Sequence, residues 1–165
     1  MPKRRIKLVE RTVIVNIGGG RNTDQIIKDA KCLKGENRIA YIDSGISQKN
    51  MPSGFGNNRI SILEFFKFAE GVSSVDMEDV WKECNANYRG CPTYEDGLRF
   101  QEAFPNAQIE APRIFLPESP WCNEKGYPMA LYLWGDSKAR RIDVVDEFDP
   151  DYLFARRKYM PIDIL

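Results

Sequence analysis

The chain has 165 residues, 42% of them apolar and 29% charged, the usage of an ordinary globular protein, which excludes fibrous and disordered classes. Its 24 basic residues balance 24 acidic ones, so no net field steers it toward nucleic acid or an anionic membrane. No apolar run reaches the ~18 residues of a membrane span, and the opening segment is too basic for a secretory signal. The expectation is one soluble α/β domain over 1–165, in a reducing, cytoplasmic setting.

Residues 1–11 read as a basic arm carrying Lys3, Arg4, Arg5 and Lys7. Thr12 to Ile17 (TVIVNI) is β-branched and apolar, as a central strand covered on both faces should be. The run Gly18, Gly19, Gly20, Arg21, Asn22, Thr23, Asp24 follows. Ile26, Ile27, Ala30 and Leu33 then recur at helical spacing, with Gly35 placed to end that helix. Ile39 to Asp43 (IAYID) reads as a second buried strand, so strand, helix and strand form a βαβ unit with a parallel pair.

Residues 44–58 form a long loop rich in glycine, proline and asparagine. Ser61 and Glu64 have the spacing of a capping box, which predicts a helix over Ile62 to Ala69 ending at Gly71. A further helix is expected over Asp76 to Cys84, with Met77, Val80, Trp81 and Cys84 on one stripe. Another follows Pro92, capped by Thr93, with Tyr94, Leu98 and Phe104 inward and Pro105 stopping it. Gln108 to Leu116 reads as a strand, but Pro112 makes it an edge strand or a shorter one.

Met129 to Trp134 and Ala139 to Val145, joined by Gly135 to Lys138, read as an antiparallel hairpin near a sheet edge. Pro150, with Asp149 as cap, predicts a last short helix through Lys158. The tail at 160–165 (MPIDIL) is apolar enough to add a strand to a sheet edge, its own or a partner's. The whole is α/β, or α+β: a mixed sheet of about five strands completed by the hairpin, with three to five helices packed on it.

No histidine is present, which excludes Ser-His-Asp and Cys-His chemistry and removes the commonest general base. No catalytic motif stands out, so the leaning is toward a non-enzyme with no assigned catalytic residue. Cys32, Cys84, Cys91 and Cys122 are too irregular for a disulfide framework and fit free thiols. A zinc site would need all four, and only Cys84 and Cys91 are near one another in the chain. Lys138, Arg140 and Arg141 would join Arg156, Arg157 and Lys158 in a basic patch if the hairpin and last helix were neighbours. The acidic run Asp143, Asp146, Glu147, Asp149 and Asp151 matches no calcium-loop spacing. Glu118, between two prolines and beside Trp121, reads as a pocket lip.

Glycines between a strand and a helix let backbone N–H groups approach an anion, and the helix N-terminus adds partial positive charge. Gly18, Gly19, Gly20, Arg21 and Asn22 are thus candidate ligand residues. Asp43, ending the second strand, is placed like the carboxylate that accepts ribose hydroxyls in dinucleotide-binding folds. The loop matches neither the G-x-G-x-x-G nor the P-loop pattern, and Asp24 would repel a phosphate; its other reading is a structural turn capped by Asn22 or Thr23. The stretch IVNIGGGRN, its helix, IAYID and SGFGNNR resembles the start of tubulin/FtsZ-type folds over about 50 residues. The resemblance implies guanine-nucleotide contacts from the glycine loop and the asparagine-bearing loop; the family's second glycine-rich phosphate signature does not follow Arg59.

Two functions follow as expectations. One is a protein acting through protein–protein contacts, as an accessory, inhibitory or assembly component, alone or as a homo-oligomer. The other is a nucleotide- or phosphosugar-binding domain using the glycine loop and Asp43; no cofactor is named, and nucleic-acid or membrane partners are not expected.

Overall fold

The computed structural model describes residues 6–164. Lys3, Arg4 and Arg5 of the basic arm and the terminal Leu165 lie outside them. The elements run β1 (Ile6–Ile17), α1 (Thr23–Lys31), β2 (Ile39–Ile42), β3 (Arg59–Phe68), α2 (Met77–Asn85), α3 (Tyr94–Ala103), α4 (Ala107–Glu110), β4 (Arg113–Phe115), β5 (Ala130–Gly135), β6 (Arg140–Val145), β7 (Leu153–Arg157) and β8 (Ile162–Asp163). The fold is mixed α/β, with one eight-stranded sheet in the order β1-β3-β7-β4-β5-β6-β2 and β8 paired to β3. Pairs β2/β6 and β4/β7 are parallel and the others antiparallel. None of the four helices among the described residues is long and apolar enough to cross a membrane.

The expected N-terminal βαβ pairing is replaced by a wider arrangement. β1 and β2 stand at opposite edges of the sheet; β1 pairs β3 antiparallel, and the parallel partner of β2 is β6. The strands inserted between them come from later in the chain, so the sheet has eight strands instead of about five. The TVIVNI run is therefore an edge strand. Its Val13, Val15 and Ile17 are buried, whereas Ile14 on the other face is 51% exposed.

The segment expected as a helix over Ile62 to Ala69 is instead part of β3, a strand hydrogen-bonded on both sides. Leu63 and Phe65 enter the apolar cluster on one face, and Phe66 and Phe68 the cluster on the other. Apolar residues needed on two faces imitate a helix stripe, and tertiary pairing decides between the periods. The supposed capping pair serves the sheet: Ser61 is buried, and Glu64 accepts from Arg156 Nε at 2.7 Å and pairs with Arg89 at 2.9 Å.

The expected helix from Pro150 to Lys158 is likewise a strand. Asp149 caps only a turn, accepting the Asp151 amide at 2.9 Å, after which β7 alternates. Phe154 and Arg156 serve one face, and Leu153, Ala155 and Arg157 the other. Arg156 and Arg157 therefore point to opposite sides, to Glu64 and Asp96 respectively, and Arg140 is 1% exposed. These three cannot form the basic patch expected from the sequence.

Local signals carried the helices. Asn22 caps α1 by accepting the Gln25 amide at 2.9 Å, and Asp76 and Thr93 form capping boxes with Asp79 and Asp96 on α2 and α3. The Gln108 to Leu116 segment divides: Gln108 sits in α4, and only Arg113–Phe115 is strand, short as Pro112 requires but central. The hairpin forms as β5 and β6, and the C-terminal tail adds β8 to its own sheet, with Ile162 opposite Ile60.

Helices cover both faces. α1 and α3, with buried Ile26, Ile27, Ala30, Tyr94, Leu98 and Phe100, pack on the face bearing Leu63, Phe115, Leu131 and Ile142. Gly97 brings α3 so close that a Cβ there would lie 2.5 Å from Leu131 Cδ2 and 2.8 Å from Phe115 Cγ. On the opposite face α2 buries Val80 and Cys84 against Phe66, Ile114 and Phe154. That cover stops short of one corner, where Ile14, Ile60, Ile62 and Ile162 share a face by register.

Candidate ligand cleft and the glycine loop

The amides of the glycine loop are taken up within the protein itself, one by a carboxylate and two by backbone carbonyls. Gly18 has φ +78°, and a Cβ there would sit 2.1 Å from the Asn57 carbonyl oxygen, so only glycine fits. Its amide donates to Glu95 Oε2 at 2.9 Å, and the Gly54 amide donates to the same oxygen at 3.1 Å. Glu95 is 7% exposed, on the first turn of α3. The Gly19 and Gly20 amides donate to the carbonyls of Gly56 and Gly54 at 3.0 and 2.8 Å.

The first turn of α1 is held in the same manner. The Thr23 amide donates to Gln48 Oε1 at 2.8 Å, and the Asp24 carboxylate accepts the Gln48 amide at 2.8 Å. Thr23, fully buried, donates from Oγ1 to the Met51 carbonyl at 2.5 Å. Arg21 forms a two-pronged ion pair with Glu102, 2.5 Å at each nitrogen, and reaches Asp29 at 2.7 Å. These carboxylates raise the Arg21 pKa, the Glu102 hydrogen bond most, and Arg21 in turn holds Asp29 below the usual carboxylate range. Loop 44–58 is fastened at Ile46, Met51, Ser53 and Gly54, all buried.

Asp43 lies elsewhere. It stands just past β2, on the end where β2 and its parallel partner β6 both finish, and lines a cleft of about 850 Å³. None of Gly18 to Asn22 lines that cleft. Its walls are Asp43, Ser44, Lys49 and Asn50 on one side and Trp121, Lys125 and Tyr127 on another, with Val144 and Asp146 from the end of β6. Asp43 Oδ1 accepts the Gly45 amide at 2.7 Å. Gly45 is small because a Cβ there would meet the Trp121 ring at 2.5 Å.

The Trp121 wall is organised by its own hydrogen bonds. Asn123 Oδ1 accepts the amides of Lys125 and Tyr127, each at 3.0 Å, and the Met129 amide returns to the Trp121 carbonyl at 2.9 Å. Tyr94, on the first turn of α3, ties this wall to the core: its hydroxyl donates to the Met129 carbonyl at 2.5 Å and accepts the Trp121 amide at 2.9 Å. Burial pushes the Tyr94 pKa up to about 12, so the phenol stays a donor through the neutral range.

Chemically, this cleft combines aromatic surface from Trp121 and Tyr127 with lysines and carboxylates. Trp121, read from the sequence as part of a lip, lines it, whereas Glu118 does not. Glu95 and the two lysines carry no pattern in the sequence, being single polar residues on a helix turn and in loops. Among the described residues no group of three or more histidine, cysteine, aspartate or glutamate side chains is placed to hold a metal ion. The described cysteines are free thiols. No protein-family model matches the chain, and no curated protein or solved structure matches it significantly.

Proposed function

We propose that the protein binds a phosphate-bearing, hydroxyl-rich small molecule, a nucleotide or phosphosugar, in the Asp43 cleft. One observation carries the reading: Asp43, Trp121, Lys49 and Lys125 line a single cleft at the carboxyl end of a parallel strand pair, the end where open α/β sheets take ligands. In this reading the carboxylate of Asp43 accepts ligand hydroxyls, Trp121 and Tyr127 stack a ring, and the lysines meet the phosphate. The glycine loop supports the fold near α3, with Glu95 in the anion's place. The reading is one of binding, with no reaction attached.

A thermal-shift titration with nucleotides and phosphosugars tests it. A saturable rise in melting temperature that disappears in Asp43→Ala and in Lys49→Ala/Lys125→Ala is expected. No rise with any of them at millimolar concentration overturns it.

A second reading, contact with a second copy of the chain, is favoured by the uncovered corner of the sheet, where Ile14 and Ile162 are 51% and 52% exposed. Ile14→Lys/Ile162→Lys is then expected to shift the wild-type chain from dimer to monomer in sedimentation velocity. A wild-type chain monomeric at high concentration removes this reading.

A further inference from the structure

A groove of about 640 Å³ lies at the start of α2, and Asp146 is common to its lining and to that of the Asp43 cleft. Its apolar surface comes from Val75, Met77, Trp81, Pro128 and Phe148. The two segments that form it are pinned together by an antiparallel bridge between Val75 and Phe148, both buried. Phe148 stands edge-on against Phe154, with ring centroids 5.6 Å apart, and Trp81 Nε1 donates to the Pro117 carbonyl at 2.9 Å. That bond holds the indole in place while the residue stays partly exposed, so the ring is preorganised for a partner.

The charged surface of the groove has one sign. Asp76, Glu78, Asp146 and Glu147 line it, all exposed, and no lysine or arginine among the described residues does. Asp76 is engaged as the cap of α2, accepting the Asp79 amide at 2.9 Å. Glu78, Asp146 and Glu147 take no hydrogen bond or ion pair from the described residues, whereas Glu64, Asp96 and Glu102 each meet an arginine. The helix dipole accounts for Glu78, in the first turn of α2. It does not account for Asp146 and Glu147, which stand past the end of β6.

We propose that this groove docks a basic peptide segment of a partner protein, an arginine lying on Trp81 with its guanidinium toward Glu78, Asp146 and Glu147. Charge complementarity selects that occupant, because the free carboxylates border an apolar floor and no cation of the groove itself answers them. The aliphatic stem of an arginine covers surface such as Met77 while its head stays with the acids. Its planar guanidinium also stacks on an indole face. An anionic ligand is repelled here, which separates the groove from the Asp43 cleft, where Lys49 and Lys125 belong to the lining.

The test titrates a fluorescein-labelled peptide, Gly-Arg-Leu-Arg-Gly, with the full chain and follows anisotropy. Saturable binding is expected, weakening as salt is raised and falling about tenfold in Glu78→Gln/Glu147→Gln, which removes two charge contacts. Glu36→Gln/Glu110→Gln, the same change of charge at exposed positions outside the groove, is expected to bind as the wild type does. No binding at millimolar chain, equal binding of the citrulline counterpart, or equal weakening in the Glu36/Glu110 variant overturns the proposal. Full competition by N-acetylarginine amide at the peptide's own concentration makes the occupant a small cation and overturns it. Self-association in sedimentation velocity that is lost in Glu78→Gln/Glu147→Gln puts a second copy of the chain in the groove and overturns it likewise.

Discussion

The glycine loop and the Asp43 cleft are both held by the first turn of α3, through consecutive residues, and they end in opposite states. Glu95 enters the loop and fills it with a carboxylate that accepts two backbone amides. Tyr94, its neighbour, fastens the Trp121 wall to α3, and that wall and Asp43 line a cleft of about 850 Å³. The loop has the backbone of an anion site with the anion built in. The lesson is that a glycine-rich turn signals an available row of amides, and only the rest of the fold shows whether a ligand or the chain itself takes them.

The largest expected effect comes from emptying the loop. Glu95→Ala leaves the Gly18 and Gly54 amides without their acceptor, which is expected to cost about 3 kcal/mol of stability. Urea unfolding would measure it, and a loss below about 0.5 kcal/mol would show that water replaces the carboxylate. Gly18→Ala, which drives a Cβ toward the Asn57 carbonyl at positive φ, should cost about 2 kcal/mol. Ligand-induced stabilisation is expected to survive in both variants wherever they remain folded.

The cleft side should respond in the reverse sense. Tyr94→Phe deprives the Trp121 amide of its acceptor and should cost about 1 kcal/mol, while weakening ligand binding through a displaced wall. Replacing Lys49 and Lys125 by alanine should change stability by less than about 0.5 kcal/mol, yet abolish the ligand-dependent rise in melting temperature. If the lysine variant loses stability but keeps the rise, the assignment of loop and cleft is the wrong way round.

A smaller effect appears with pH. The folded state holds Tyr94 protonated, with a pKa raised to about 12. Its contribution is therefore complete below the ordinary tyrosine range near 10 and is lost as pH climbs through that raised value. Ultraviolet titration should show Tyr94 ionising late, with Trp121 fluorescence changing in step. Early ionisation of Tyr94 would mean that the strut is open to solvent.

What the sequence made legible follows how local each signal is. Asn22, Asp76 and Thr93 cap their helices within a few residues, and the stripe of α1 needs no distant partner to be recognised. β3 and β7 were missed because Ile62 to Phe68 and Leu153 to Arg157 owe their extended form to neighbours on both sides, and an S-x-x-E spacing or a proline imitates a helix start. The placing of β1 and β2 at opposite edges depends on strands many residues later. At the candidate cleft, Asp43 was visible as a strand-end carboxylate and Trp121 as the aromatic after Pro120, beside the Glu118 read as a pocket lip. Glu95 was not, because nothing in a helical glutamate announces that it turns toward a glycine loop.

Gly97 has a consequence for how this protein can vary. Three residues beyond Tyr94 and two beyond Glu95, it seats α3 on Leu131 and Phe115 with no room for a methyl group. Lifting the helix by the width of that group would draw Glu95 from the loop and Tyr94 from the cleft wall in one movement. A library randomised at this single position, selected only for folded protein, should therefore return glycine, while Ala103, exposed at the end of the same helix, should drift freely.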